Sequence, residues 1–130
     1  ALFEKYNDFA TLNSSAKGNS QTLHCGDIET NYTLEKAKIT NRTASMVENY
    51  GLLYGYENKY MFQIPKMAIG VGDEEVQFIK DRYEEFKDEF PYMEYWDKEK
   101  LAELEPALLK DRDPDEDIAA MGTNKRWSAV

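Results

Sequence analysis

Residues 14–33 read SSAKGNSQTLHCGDIETNYT and form a polar loop that leads into the first predicted helix. Small hydroxyl and amide side chains crowd its first half, so it offers many N–H and hydroxyl donors to a polyanionic ligand. Residues 1–5, ALFEK, read as the end of a buried strand that closes with the acid Glu4. An acid at a strand end followed by a donor-rich loop is an arrangement that binds a dinucleotide, with the carboxylate on the ribose and the donors on the pyrophosphate.

Each of these features also has an ordinary structural explanation. Glu4 can equally be a solvated acid at a sheet edge, and turns rich in Ser, Asn and Thr are common. A lone histidine such as His24 more often makes a structural hydrogen bond than performs catalysis. Cys25 beside His24 falls far short of a zinc ligand set, so we predict no metal site. A Cys–His nucleophile pair would need a third group to orient it, and none is evident.

The composition restricts the classes of protein to consider. The 130 residues are enough for one modest domain with a core of its own. Twenty-five acidic against sixteen basic side chains give a formal charge of −9, which argues against a nucleic-acid surface. No apolar run approaches the roughly 20 residues of a membrane span. The single cysteine excludes an internal disulfide, and the missing initiator Met and signal peptide lead us to expect a piece of a longer protein.

The first half of the chain predicts one helix and one interrupted strand. Thr33 is a plausible N-cap for a helix that runs to about Tyr50, with stops at Gly51 and Gly55. Its predicted apolar face consists of Leu34, Ala37, Ala44 and Val47. Residues 60–72 predict a strand that is interrupted at Pro65, because proline has no N–H for the ladder.

The second half predicts two helices and two short strands. Asp73 should cap a helix closed by Pro91, whose core face carries Val76, Ile79, Tyr83, Phe86 and Phe90 and whose outer face carries the charged residues, Arg82 among them. Residues 92–96 predict a short strand. Asp97 should cap a helix that ends at Glu105-Pro106, with Leu101 and Leu104 inward, and residues 118–121 predict a last strand.

Four longer stretches of the chain carry a family resemblance. They are residues 14–38 (SSAKxNSQTxHxGxIETNYTxEKAK), 66–75 (KMAIGVGDEE), 82–87 (RYExFK) and 103–106 (ELEP). In these stretches the chain resembles FAD-dependent malate:quinone oxidoreductases, in the form seen in the Campylobacter–Helicobacter group. The loop alone is also similar to that of L-2-hydroxyglutarate oxidases, so the predicted substrate depends on the later stretches.

The resemblance implies a fold and a set of cofactor contacts. The fold class would be α/β: a fragment of a Rossmann-like FAD-binding domain joined to part of a mixed α+β substrate domain. Residues 1–57 would belong to the FAD-binding domain and residues 58–130 to the substrate-binding domain. The residues expected at FAD are Glu4, Ser14, Ser15, Asn19, Ser20, Gln21, Thr22 and His24, with Glu4 in the place of the ribose-binding acid and His24 beside the flavin.

The resemblance also implies a reaction. The parent enzyme would oxidise L-malate to oxaloacetate and pass electrons through FAD to quinone, as a peripheral protein on the cytoplasmic face of the inner membrane. The general base and the carboxylate clamps are expected outside this chain, although His24 itself is an alternative base. Lys66, Arg82 and Arg126 are cations that also read as ordinary surface residues.

Two further interpretations stay open at this point. One is another FAD-dependent 2-hydroxy-acid oxidase, and the other is a non-enzymatic acidic module that binds a protein partner. The glycine fingerprint G-x-G-x-x-G is not in the sequence, so this segment alone should neither bind FAD usefully nor turn over malate.

Overall fold

A computed structural model describes residues 3–15, 17–18, 22–123 and 127–129. Within these residues, three helices, five strands and one 3₁₀ turn follow one another. In order they are α1 (Leu34–Leu53), β1 (Met61–Gln63), β2 (Lys66–Val71), α2 (Gly72–Phe86), β3 (Glu94–Trp96), α3 (Lys98–Leu104), the 3₁₀ turn Pro106–Leu108, β4 (Ile118–Thr123) and β5 (Trp127–Ala129). The predicted break at Pro65 is confirmed, since β1 and β2 lie on either side of it.

The main sheet is antiparallel and has the strand order β2-β4-β3. Ala68 of β2 and Tyr95 of β3 both lie opposite Met121 of β4. Strand β4 is buried along its whole length because it is the central strand and both of its faces are covered. Strands β1 and β5 form a separate antiparallel pair.

Each face of the main sheet packs against its own apolar cluster. On one face, Ile79 and Phe86 of α2 pack with Met121 and with Ala37 of α1. On the other face, Leu101 of α3 packs with Trp96, Ile118 and Ala120. Two layers of helix therefore enclose the sheet, and both faces of β2 contribute to packing, with Ala68 on the α2 side and Met67 on the α3 side.

Helix α1 begins as predicted and ends later than predicted. The Thr33 side chain accepts a hydrogen bond from the Lys36 N–H, which confirms the N-cap. Gly51 lies inside the helix, buried against Met61, and the stop is Gly55, which has a φ of 67°. A Cβ at position 51 would overlap the Met61 sulfur, so this glycine serves close packing and does not end the helix. Val47, predicted to face the core, is 37% exposed.

Helix α2 differs from the prediction at both ends and on its outer face. Its N-cap is Val71, and Asp73 lies in the first turn. The helix ends at Phe86, and residues 87–89 continue as a turn in which the Phe90 N–H donates to the Phe86 carbonyl oxygen, ahead of Pro91. Arg82, predicted on the charged outer face, is buried. It follows Ile79 by three positions and precedes Phe86 by four, so it lies on the core face.

Two other predictions are corrected by the structure. Residues 3–5 form no strand: Phe3 is 92% exposed, and a strand needs a neighbouring strand to satisfy its backbone. In α3, which Asp97 caps as predicted, Leu101 is fully buried but Leu104 is 43% exposed.

The mixed α/β class is confirmed, with helices packed on an antiparallel sheet. The Rossmann-like assignment and the domain boundary after residue 57 remain predictions. Among the described residues, no helix combines the length and the apolar character that crossing a bilayer would require.

Candidate functional site

An open cleft of about 390 Å³ lies between the end of the polar loop and strand β2. Its wall on the loop side comes from residues 22–24 and 28–31, and β2 contributes two residues to the other side. The lining residues are Thr22, Leu23, His24, Ile28, Glu29, Thr30, Asn31, Lys66 and Ala68. The second half of the polar loop therefore presents part of its surface to an open cleft.

His24 and Glu29 form a side-chain pair at this cleft. His24 Nδ1 lies 3.0 Å from Glu29 Oε1. The two side chains differ in exposure: the histidine is 68% exposed and the glutamate only 14%. A carboxylate only accepts hydrogen bonds, so the ring nitrogen must be the donor in this pair.

Arg82 of α2 holds the backbone of the same loop. Its Nη2 donates a hydrogen bond to the Glu29 carbonyl oxygen at 2.7 Å, and its guanidinium carbon lies 4.0 Å from the centre of the Phe86 ring. Burial lowers the pKa of Arg82, and the nearby Glu85 and Glu29 carboxylates oppose that shift. The guanidinium keeps its charge, because an arginine pKa is far above neutrality.

Three buried polar atoms near this loop have no hydrogen-bond partner among the described residues. They are Asp27 Oδ2, Glu29 Oε2 and Arg82 Nε. Buried polar atoms without a hydrogen-bond partner are uncommon in folded proteins, and each one requires an explanation. Two of the three belong to the contact between α2 and the cleft loop.

The turn at Cys25 and Gly26 fixes the loop against α1 and β2. Cys25 is fully buried, and its carbonyl accepts a hydrogen bond from the Asn41 side-chain amide at 3.0 Å. Lys66 Nζ lies 3.4 Å from both the Leu23 carbonyl oxygen and the Cys25 sulfur. Gly26 has a φ of 84°, and a Cβ there would approach the Ala37 carbonyl oxygen to 2.4 Å. Only glycine fits this turn without strain.

The predicted cofactor residues are distributed over two cavities. Thr22 and His24 line the cleft described above, whereas Glu4 and Ser14 line a separate cavity of about 360 Å³ at the start of the chain. Glu4 Oε1 accepts from the backbone N–H groups of Lys5 and Tyr6, at 2.6 and 3.1 Å. Ser15 is half-buried. Asn19, Ser20 and Gln21 lie outside the described residues, as does Arg126.

Sequence reasoning missed three residues that build the cleft. Glu29 appeared only inside a matched stretch, while Lys66 and Arg82 read as surface cations. For Arg82 a signal existed, because its spacing from Ile79 and Phe86 places it on the core face of α2. No local pattern marks Lys66, because its place in the cleft depends on how β2 packs against the loop. In the described part of the chain, no group of three or more His, Cys, Asp or Glu side chains could hold a metal ion.

Comparisons with known proteins agree with one another on the family. A family model described as malate:quinone oxidoreductase (Mqo) matches residues 1–126. A Campylobacter jejuni protein named "Probable malate:quinone oxidoreductase" is 52% identical over 126 residues, which cover 94% of this chain and 28% of that protein. The malate:quinone oxidoreductase of Helicobacter pylori strain 26695 is 47% identical over 133 aligned residues, which cover 100% of this chain and 30% of that protein.

A more distant relative gives the same name. A "Probable malate:quinone oxidoreductase" of Chromohalobacter salexigens is 30% identical over 139 aligned residues, which cover 92% of this chain and 27% of that protein. The chain thus spans less than a third of the length of the relatives it matches. On the family match and on these identities, the chain belongs to the malate:quinone oxidoreductase family.

Proposed function

We propose that this chain is part of a flavoenzyme that oxidises L-malate to oxaloacetate and passes the electrons through FAD to quinone. The observation that carries the proposal is the family match along residues 1–126, together with relatives named for this activity. The cleft beside the polar loop supports it, because residues 22–24, the end of the segment that the resemblance assigns to FAD, line the cleft.

The side chains in the cleft fit the flavin end of FAD. Thr22, Asn31 and Lys66 can each donate a hydrogen bond there. An isoalloxazine ring carries carbonyl oxygens and ring nitrogens that accept hydrogen bonds, so the donor set matches it. The cleft volume of about 390 Å³ lies within the usual range for ligand pockets. When bound, FAD would accept a hydride from C2 of malate and deliver the electrons to quinone.

The residues of this chain would bind and orient the reactants. Arg82 fixes the backbone at Glu29 through its 2.7 Å hydrogen bond, and Glu29 holds the Nδ1 edge of His24. His24 would thereby be kept beside the flavin at the mouth of the cleft. Glu4 would bind the adenosine ribose, and Ser14, Ser15, Asn19, Ser20, Gln21 and Thr22 would donate hydrogen bonds along the pyrophosphate.

Lys66 supplies positive charge where the proposed substrate is negative. Malate is a dianion at neutral pH, so its site must present cations. The Lys66 ammonium lines the same cleft as His24, and its contact with the Leu23 carbonyl oxygen is long at 3.4 Å. The ammonium would exchange this weak contact for a carboxylate of the substrate, because a charged pair binds more strongly. Further cations would come from parts of the enzyme beyond this chain, and the general base would come from there or be His24 itself.

The proposed domain plan and location follow from the same assignment. Residues 1–57 would belong to the flavin-binding part and residues 58–130 to the part that covers the substrate. The enzyme would work on the cytoplasmic face of the inner membrane. The charge of −9 disfavours this chain as the surface that meets anionic lipid, so the membrane contact would lie elsewhere in the enzyme.

The test is an assay of the full-length enzyme with a quinone as electron acceptor. Malate, lactate and 2-hydroxyglutarate are compared in parallel, and the purified protein is examined for flavin absorbance. We expect bound flavin and a clear preference for malate. An enzyme that contains flavin but does not prefer malate would be a general 2-hydroxy-acid oxidase. A protein without flavin would overturn the proposal.

A further inference from the structure

The His24–Glu29 pair differs from an ordinary surface ion pair in how its two partners are exposed. In the exposed pairs Lys38–Glu89 and Lys100–Glu103, both side chains are at least 40% exposed, and such pairs contribute little. In the cleft, the carboxylate is only 14% exposed while the imidazole is 68% exposed. A largely buried acid is thus placed to orient an exposed ring.

Glu29 is also held in place through both its backbone and its side chain. Its backbone carbonyl is held by Arg82, a buried residue of α2 that is 53 positions away in sequence. Its side chain reaches His24 through Oε1, while Oε2 is buried without a hydrogen-bond partner among the described residues. Burying half of a carboxylate without a partner is unfavourable for folding, so stability alone does not account for this acid.

The chemistry of the pair determines which ring nitrogen carries the proton. The Glu29 carboxylate accepts only, so neutral His24 must present its proton on Nδ1. The lone pair then lies on Nε2, on the other edge of the ring. Neutral histidine in water prefers the opposite tautomer, so the glutamate changes which nitrogen can accept a proton.

We propose that Glu29 is a positioning residue, which holds His24 in the Nδ1–H tautomer so that Nε2 can accept the proton of the substrate hydroxyl. The inference rests on the proposed function, because it gives Nε2 a role in the oxidation of a 2-hydroxy acid. Arg82 supports the arrangement by fixing the backbone from which the Glu29 side chain extends.

The first test reads the tautomer directly and does not depend on activity. Full-length enzyme labelled with ¹⁵N-histidine is examined by NMR, and the His24 signals are assigned by comparison with a His24→Asn variant. We expect a protonated Nδ1 and an unprotonated Nε2 in the wild type, and a shift toward protonated Nε2 in Glu29→Gln. A wild-type His24 protonated on Nε2, or a tautomer unchanged in Glu29→Gln, would overturn the proposal.

The second test measures malate oxidation in matched variants. Glu29→Gln should lower kcat about 10- to 100-fold with little change in KM, because orientation of a base acts on the chemical step. Glu29→Asp keeps the carboxylate and should recover part of kcat. Glu35→Gln, a change at an exposed acid in the first turn of α1, should leave kcat unchanged.

The two tests together separate failure of this inference from failure of the proposed function. A changed tautomer with an unaltered kcat would overturn the catalytic role of Nε2. A wild-type enzyme that does not oxidise malate would remove the proposed function, while the NMR measurement would still decide whether Glu29 sets the tautomer of His24. Thermal unfolding of each variant checks that a lost rate does not reflect a lost fold.

Discussion

Arg82 donates a hydrogen bond from Nη2 to the backbone carbonyl of Glu29 at 2.7 Å, and this contact joins helix α2 to the loop that lines the cleft. The same guanidinium lies over the Phe86 ring, so one side chain connects the packed core to the candidate site. The loop position therefore depends on a cation that is buried in the fold.

We expect Arg82→Met to loosen this loop. The substitution leaves the Glu29 carbonyl without its donor, and an unsatisfied buried group costs about 1–3 kcal/mol. Hydrogen exchange in the full-length protein should show that the opening free energy of the amides of residues 27–31 falls by the same amount. Arg112→Met is the control, because Arg112 also donates to a backbone carbonyl, that of Leu108, but is exposed. Equal protection in both variants would contradict the role given to Arg82.

The turn at Gly26 gives a second prediction. Gly26→Ala should destabilise the protein by more than about 2 kcal/mol, since it adds a clash with the Ala37 carbonyl to the strain of positive φ. Gly55→Ala is the matched control, because Gly55 has a similar φ of 67° and a Cβ there would meet no atom within 4 Å. That variant should lose only about 1–2 kcal/mol. Urea unfolding of both variants measures the difference, and equal losses would show that the close approach to α1 has no cost.

The elements that local chemistry determines could be predicted from the sequence. Thr33 and Asp97 cap their helices because short polar side chains satisfy the first N–H groups, and Pro65 interrupts its strand because it has no N–H. Gly51 could not be identified as an internal helix residue from the sequence. A glycine is needed there because the Met61 side chain, from another element, packs against it. A local pattern cannot report such a contact.

The candidate site was predictable to a similar extent. The polar loop and His24 were recognised from residue types, since donors and a lone histidine are visible in a sequence. Glu29, Lys66 and Arg82 join the site only because α2 and β2 pack against the loop. The predicted strand at residues 1–5 failed where residues 3–5 lie exposed, because apolar residues alone do not supply the neighbouring strand that pairing requires.

Tyr95 should make stability depend on pH in the alkaline range. Burial raises the pKa of its phenol, and the negative charges of Asp117 and Asp97 add to the shift. The unfolded chain therefore loses this proton first, at about pH 10. Stability should be fully present below that pH and should fall as pH rises through the higher pKa of the folded state. Tyr95→Phe keeps the ring beside Tyr83 and should make that fall shallower in urea unfolding. Identical profiles for the two proteins would contradict the shift.

Lys66 provides the most direct test of how the cleft meets an anionic substrate. Lys66→Met should raise KM for malate about 10- to 100-fold, because hydrogen bonds to charged groups contribute about 1.5–3 kcal/mol and the substitution removes the ammonium from the cleft. Lys66→Arg keeps the charge and should recover part of the affinity. Lys80→Met, a change on the exposed face of α2, controls for the loss of one positive charge from the protein.

Steady-state kinetics of the full-length enzyme with malate and lactate separate binding of the second carboxylate from general effects. If Lys66 contacts that carboxylate, Lys66→Met should raise KM for malate far more than KM for lactate. Equal increases in both KM values would show that the ammonium does not contact the second carboxylate.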